Sequence, residues 1–235
     1  MMYRCNPTLR ISSLRISLPF FTNIDYFRNN PYNGYIVKWT DGLNKLEFFD
    51  LKVLRQFNPL PSQSLYKFVK RRVKDRNLIK LKKGVYTTSY FVQHNDILSY
   101  RERVANFLKK PSYLSLEYML SKYSILSENV YVFTSVSTKK TNRYVNDLGT
   151  YYYRHIKEEM FTGYVFVNGV YFATKAKSLF DYFYFKKYVL EIDSFRLNLE
   201  EFSDLDMKEF LKYSKGDIRM MGIYNLLLQR KKNVY

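Results

Sequence analysis

Between Ser64 and Tyr86 the sequence reads SLYKFVKRRVKDRNLIKLKKGVY, nine Lys or Arg against a single acid, Asp75. The chemistry such residues perform together is capture of a polyanion, in which ammonium and guanidinium groups neutralise phosphates and release condensed counterions. A second group, Asp147, His155, Glu158 and Glu159 in NDLGTYYYRHIKEE, holds the residue types of a metal-dependent hydrolytic centre. That centre needs carboxylates gathered on adjacent strand positions. On an extended strand over 150–156, Tyr151, Tyr153 and His155 share one face and Tyr152 and Arg154 the other, so the acids fall beyond its ends. The spacing predicts no nuclease centre. It gives His155 a hydrogen-bonded structural role and leaves Arg154 paired to an acid or facing a partner.

Other reaction chemistries lack their residues. Gly163, Gly169 and Gly216 stand alone and none precedes a Lys-Ser/Thr pair, so no phosphate loop is written here. There is no Gly-x-Ser-x-Gly elbow. Cys5 is the one cysteine and His94 and His155 the two histidines, which leaves no disulfide framework and too few ligands for zinc. Lys175 and Lys177 of TKAKS read as surface lysines at a helix start. The expectation is a protein that is not an enzyme and carries no cofactor and no metal.

What must position the basic run is a folded chain. The 235 residues are 46% hydrophobic and carry a net charge of +18, with room for one large or two small domains. Tyr and Phe, 24 and 19 of them, read as core and sheet formers. Residues 1–100 hold 17 Lys/Arg against 6 Asp/Glu, so positive charge is densest there, whereas 190–217 turns acidic. Arg10 and Arg15 interrupt the apolar runs of the N-terminus, and no stretch has the length of a membrane span, so a cytoplasmic protein is expected. Three parts follow: an N-terminal extension, 1–33, either an arm or an element packed on the next domain; a DNA-binding domain, 34–92; and a further domain, 98–235.

Within 34–92, GYIVKWTDGLNKL (34–46) is the candidate first helix, and Asp50 is placed to cap a short helix LKVLRQF. NPLP ends it, and Ser62 caps a second helix reaching Arg76. At 100° per residue, Leu65, Phe68, Val69 and Val73 form one arc. Gln63, Tyr66, Lys67, Lys70, Arg71 and Lys74 form the other, with Ser64 beside them at the helix start. LIKLKKGVYTT then alternates apolar and basic residues around Gly84 as a hairpin, offering Lys80, Lys82 and Lys83 to phosphates. Short helix, turn, basic amphipathic helix and basic hairpin, in that order, predict a winged helix-turn-helix with the second helix facing base edges.

The rest predicts helix over 98–123 and strand over 130–137. A strand pair turns at Asp147 to Gly149, another turns at Asn168-Gly169, and helices follow near 174–187, 199–213 and 217–231. The fold class is α+β: an N-terminal winged helix-turn-helix followed by an α+β domain with a small antiparallel sheet and C-terminal helices. Four ordered stretches, Tyr113 to Leu120, Val130 to Val136, Gly149 to Ile156 and Ala173 to Asp181, resemble the YISLESAL, VYVITSV, GTFEYRHI and A.P.KALLDL motifs of AbiEi-type antitoxins. The basic N-terminal domain resembles their winged helix ending in GVY. The resemblance spans roughly residues 45–187, with Thr174 and Lys175 where family members often carry Pro.

The resemblance implies an antitoxin of a type IV toxin-antitoxin or abortive-infection (phage defence) system. Such a protein binds inverted repeats in its own promoter, represses its operon, and counteracts a nucleotidyltransferase-like toxin through its C-terminal domain. Two copies on double-stranded DNA would follow. The alternative is a solitary DNA-binding transcriptional regulator, or a protein-interaction module with nonspecific nucleic-acid affinity. In that case the acidic 190–217 stretch and the basic QRKK tail would form an electrostatic contact.

Overall fold

Asp50 does the capping its position predicts in the computed structural model, which describes residues 41–186 and 195–232. Its Oδ1 accepts the N–H of Lys52 (2.8 Å) and Val53 (2.9 Å), which starts α1, Leu51–Phe57. The 1–33 extension and the first part of the 34–46 candidate helix lie outside the described residues, while 41–43 are helical. After the turn at 58–61 comes α2, Ser62–Lys74, followed by β2, Leu78–Lys82, and β3, Val85–Thr88. These pair with β1, Phe49–Asp50, in an antiparallel sheet of order β1-β3-β2. Leu43, Phe49, Leu54, Leu65, Val69, Leu78 and Tyr86 close the core between this sheet and the helices.

Past α3, Ser89–Gln93, the chain enters α4, Ile97–Leu108, with Asp96 as its cap. Helix was expected through residue 123. It stops at Leu108 instead: Lys109 is already extended (φ −144°, ψ 122°), and Pro111, with no N–H to give, cannot carry the helix on. β4, Tyr113–Leu114, then intervenes before α5, Leu116–Lys122. β5 (Phe133–Ser137), β6 (Asn142–Asn146), β7 (Gly149–His155), β8 (Tyr164–Val167) and β9 (Val170–Ala173) follow, then α6 (Lys175–Tyr184), α7 (Asp204–Ser214) and α8 (Ile218–Lys232). The class is α+β, with the helices α6 to α8 C-terminal as expected.

The second sheet is larger than expected and runs β6-β7-β5-β4-β9-β8. The hairpins β6–β7 and β8–β9 are antiparallel, the latter turning on Asn168 (φ 49°) and Gly169 (φ 83°) as a two-residue turn with both φ positive requires. The pairs β5–β7 and β4–β9 are parallel. Parallel neighbours come from distant stretches with no shared turn, so turn residues do not announce them.

The three-stranded sheet is buried on both faces. Leu78, Tyr86 and Phe49 face α1 and α2, while Leu81, Ile79, Val85 and Phe48 face a second core containing Tyr100, Val104 and Leu108 of α4. Tyr100 Oη donates to Glu47 O (2.7 Å), Glu47 pairs with Arg103, and Asn146 Nδ2 donates to Leu81 O (3.1 Å). Among the described residues no helix is long and apolar enough to cross a membrane.

Lys177 is not the surface lysine its sequence context suggested: it is 1% exposed on α6. Its ammonium lies 2.8 Å from Oδ1 of the fully buried Asp181, one turn on, and donates to Met160 O (2.9 Å). Asp181 Oδ2 accepts from Tyr113 Oη (3.0 Å) and Ser115 Oγ (2.8 Å). Thr134 Oγ1 donates in turn to Ser115 O (2.7 Å) and accepts the Tyr118 N–H (3.0 Å). Burial pushes the Asp181 carboxyl up, and the ammonium and hydroxyl donors oppose it.

Removing one partner strands the other charge in the interior. Asp181→Ala is expected to cost about 3–5 kcal/mol, read as a fall in the urea midpoint, and Lys177→Met/Asp181→Leu to recover much of that loss. A loss below about 1 kcal/mol for Asp181→Ala would show that the pair does not organise the core.

Candidate nucleic-acid interface

The basic helix is built with its charges outward. Leu65 and Val69 of α2 are buried and Phe68 and Val73 half-buried, while Gln63, Ser64, Tyr66, Lys67, Lys70, Arg71 and Lys74 are all exposed, Tyr66 by 61%. Among the described residues Lys67, Lys70, Arg71 and Lys74 are paired with no acid. Arg72 turns back, its guanidinium 5.1 Å from the Phe68 ring centroid. Ser62 was expected to cap this helix. It is the first helical residue instead, with Pro61 at the cap and no side-chain cap bond. The Ser62 hydroxyl is used between helices, where it accepts from Arg55 Nη2 (2.8 Å) and fixes α1 against α2.

The helix ends two residues before the expected Arg76, in a left-handed corner. Asn77 N–H bonds Arg72 O (2.9 Å) and Arg76 N–H bonds Val73 O (3.1 Å), with Arg76 at φ 57°, a conformation suited to glycine. Ser89 N–H bonds Asn77 O (3.0 Å) and its hydroxyl bonds Arg76 O, which locks the corner to the start of α3.

The hairpin divides its three lysines. Gly84, at φ 77°, makes the reversal, and Lys80 and Lys83 are exposed. Lys82 is withdrawn from the predicted phosphate-facing set: its ammonium donates to Leu108 O (3.1 Å) and sits 4.9 Å from the Phe107 ring centroid. Burial, with help from neighbouring Lys110, lowers its pKa. Tyr66 is close enough to the hairpin to help raise the Tyr86 phenol, after burial itself.

A further positive cluster is brought together by the fold and was not read from the sequence. Lys109 donates to Lys140 O, and burial together with Lys139 lowers its pKa. Lys110 stands next to it, and its charge helps lower the Lys82 pKa. Its signal was two Lys-Lys pairs some 30 residues apart, and only the loop between β5 and β6 returning to the end of α4 makes them one patch.

The imagined hydrolytic group does not assemble. Asp147 lies in the β6–β7 turn and His155 at the far end of β7, on the order of 20 Å away at the usual strand rise. Among the described residues no three His, Cys, Asp or Glu gather as a metal ion would require. His155 is exposed, and its backbone N–H rather than its ring bonds Thr141 Oγ1 (3.2 Å). Among the described residues Arg154 meets aromatic rings and no acid, lying 5.5 Å from Tyr152 and 5.1 Å from Phe185.

Relief of the corner strain is measurable. Arg76→Gly is expected to stabilise the chain by about 1 kcal/mol in equilibrium unfolding, since glycine adopts positive φ without a Cβ clash. An unchanged or lower midpoint would mean that the corner carries no strain.

Compared with protein-family models, curated proteins and solved structures, the chain matches none.

Proposed function

We propose that this chain binds double-stranded DNA through a winged helix-turn-helix in its N-terminal part, with α2 as the recognition helix and β2–β3 as the wing. The observation that carries the reading is the outer face of α2, where six exposed residues, Gln63, Tyr66, Lys67, Lys70, Arg71 and Lys74, lie over an anchored apolar face. A 13-residue helix is about 20 Å long and, with side chains, about 10–12 Å across, which fits a B-DNA major groove about 12 Å wide. Gln63 can bond adenine in a bidentate manner, and Arg71 or a lysine can bond guanine. The element order and the β1-β3-β2 sheet support the reading, because they seat the hairpin beside the helix. Lys80 and Lys83 contact flanking phosphates in this arrangement, and Lys82 does not.

Within the same proposal the protein is an antitoxin of the AbiEi type, which represses its own operon from an inverted repeat and counteracts a nucleotidyltransferase-like toxin. What supports this half is the use made of the resembling stretches. Tyr113, Ser115, Thr134, Lys177 and Asp181 come from three of the four and meet in one buried network. The fourth, on β7, pairs in parallel with β5.

Titration of the protein's own upstream duplex and a scrambled duplex, each at two salt concentrations, tests the DNA half. Lys67→Ala/Lys70→Ala is expected to weaken both duplexes and to reduce the salt slope by about 2, while Gln63→Ala erodes the preference between them by roughly 1–3 kcal/mol. Lys82→Ala is expected to leave the slope unchanged. Wild-type binding by the double lysine variant would refute the assigned face. Co-expression with the adjacent gene's product tests the antitoxin half, with relief of growth arrest expected.

A further inference from the structure

The cavity bounded by α4 and the β8–β9 hairpin has a volume of about 800 Å³, within the usual range of small-molecule sites. None of its lining residues lies on the basic helix, and three features of the lining point to one kind of ligand. Two separate aromatic groups line it. Phe48 and Phe107 stack at 4.1 Å between centroids, while Phe166 and Tyr171 lie 4.7 Å apart on the hairpin, 62% and 42% exposed. Rings this exposed on a strand pair offer faces for a flat partner.

The second feature is Asn106, 7% exposed. Its Oδ1 accepts the Tyr171 N–H (2.5 Å), which fixes the amide's orientation, and among the described residues its Nδ2 has no hydrogen-bond partner. A buried amide donor left unbonded on a residue that lines a cavity is costly, and an acceptor brought by a ligand would satisfy it. The third is charge: Lys110 and the Arg103–Glu47 pair line the same cavity, so the site is net positive while keeping one carboxylate.

We propose that this cavity binds a 5′-mononucleotide. The base stacks on the hairpin aromatics, Asn106 Nδ2 donates to a ring nitrogen or carbonyl, Glu47 accepts from a ribose hydroxyl, and Lys110 faces the phosphate. An aliphatic ligand would satisfy neither the amide nor the cations, and an inorganic anion would leave the aromatic faces unused. The inference does not depend on the DNA reading, since no α2 residue lines the cavity.

Calorimetric titration of the full chain with AMP, GMP, CMP and UMP, with ribose 5-phosphate as the baseless control, tests it. At least one mononucleotide is expected to bind while ribose 5-phosphate does not. Asn106→Asp keeps the acceptor for Tyr171 and removes the donor, and Lys110→Ala removes the phosphate contact; each is expected to weaken binding about tenfold or more. Phe166→Ala, on an exposed strand position, gives the same readout should Asn106→Asp fail to fold. Lys67→Ala/Lys70→Ala is expected to leave nucleotide affinity unchanged. Absence of binding at millimolar concentration, equal binding of ribose 5-phosphate, or loss confined to the α2 variant would each overturn the proposal.

Discussion

The second part of the molecule is organised by a charge that water cannot reach. A carboxylate such as that of Asp181 is costly to bury, and an ion pair alone does not compensate. Here the ammonium of Lys177, two hydroxyls and a backbone carbonyl complete the set, so both charged groups are bonded on several sides. The consequence is positional. β4 has only two residues, too few to fix a register by ladder bonds, yet it lies in the middle of a six-stranded sheet. Tyr113 and Ser115, on and beside it, are held by the α6 carboxylate, and Leu114 between them points into the other core. The ion pair therefore fixes strand and helix together. β9 runs directly into α6 through Thr174, whose hydroxyl caps the helix and bonds Glu209 of α7 (2.8 Å), so the helical layer follows from the same point.

The basic face gains its fixed direction from a different source. An isolated two-stranded hairpin is marginal in water, and β2–β3 is secured by apolar contact on both faces. That contact joins α2, on one side of the sheet, to α4 on the other. It also explains the loss of Lys82 from the outer set: the residues that anchor the hairpin to the larger part, Leu81 through its carbonyl and Lys82 through its ammonium, are unavailable for a free-standing wing. What remains outward is Lys80 and the tip residue Lys83.

Much of this was legible in the sequence because its signals are local. Asp50 capping, the proline turn, the two-face division of α2, and the hairpins at Gly84 and Asn168-Gly169 all depend on residues within a few positions of each other. What escaped was nonlocal. Lys177 looks like a surface lysine until Asp181 one turn away is seen to face Tyr113 and Ser115, over 60 residues earlier. The same limit hid the parallel strand pairs and the joining of Lys109 and Lys110 with Lys139 and Lys140. His155 failed for the opposite reason: alternation placed it with Tyr151 and Tyr153, but the strand ends there and the burial of that face ends with it.

The start of α2 carries an argument of its own. The N-terminal end of a helix bears partial positive charge and unsatisfied N–H groups, and acids or a side-chain cap ordinarily stabilise it. α2 has neither: its cap residue is Pro61 and its first turn, Ser62, Gln63 and Ser64, is free of acid, while Arg71, Arg72 and Lys74 suit the opposite end. α1 differs, with Asp50 capping its amides. A chain under pressure for stability alone would place an acid near Ser64, and one carboxylate there would also repel phosphate. Forgoing it costs local stability and leaves the start of α2, like its outer face, free of negative charge.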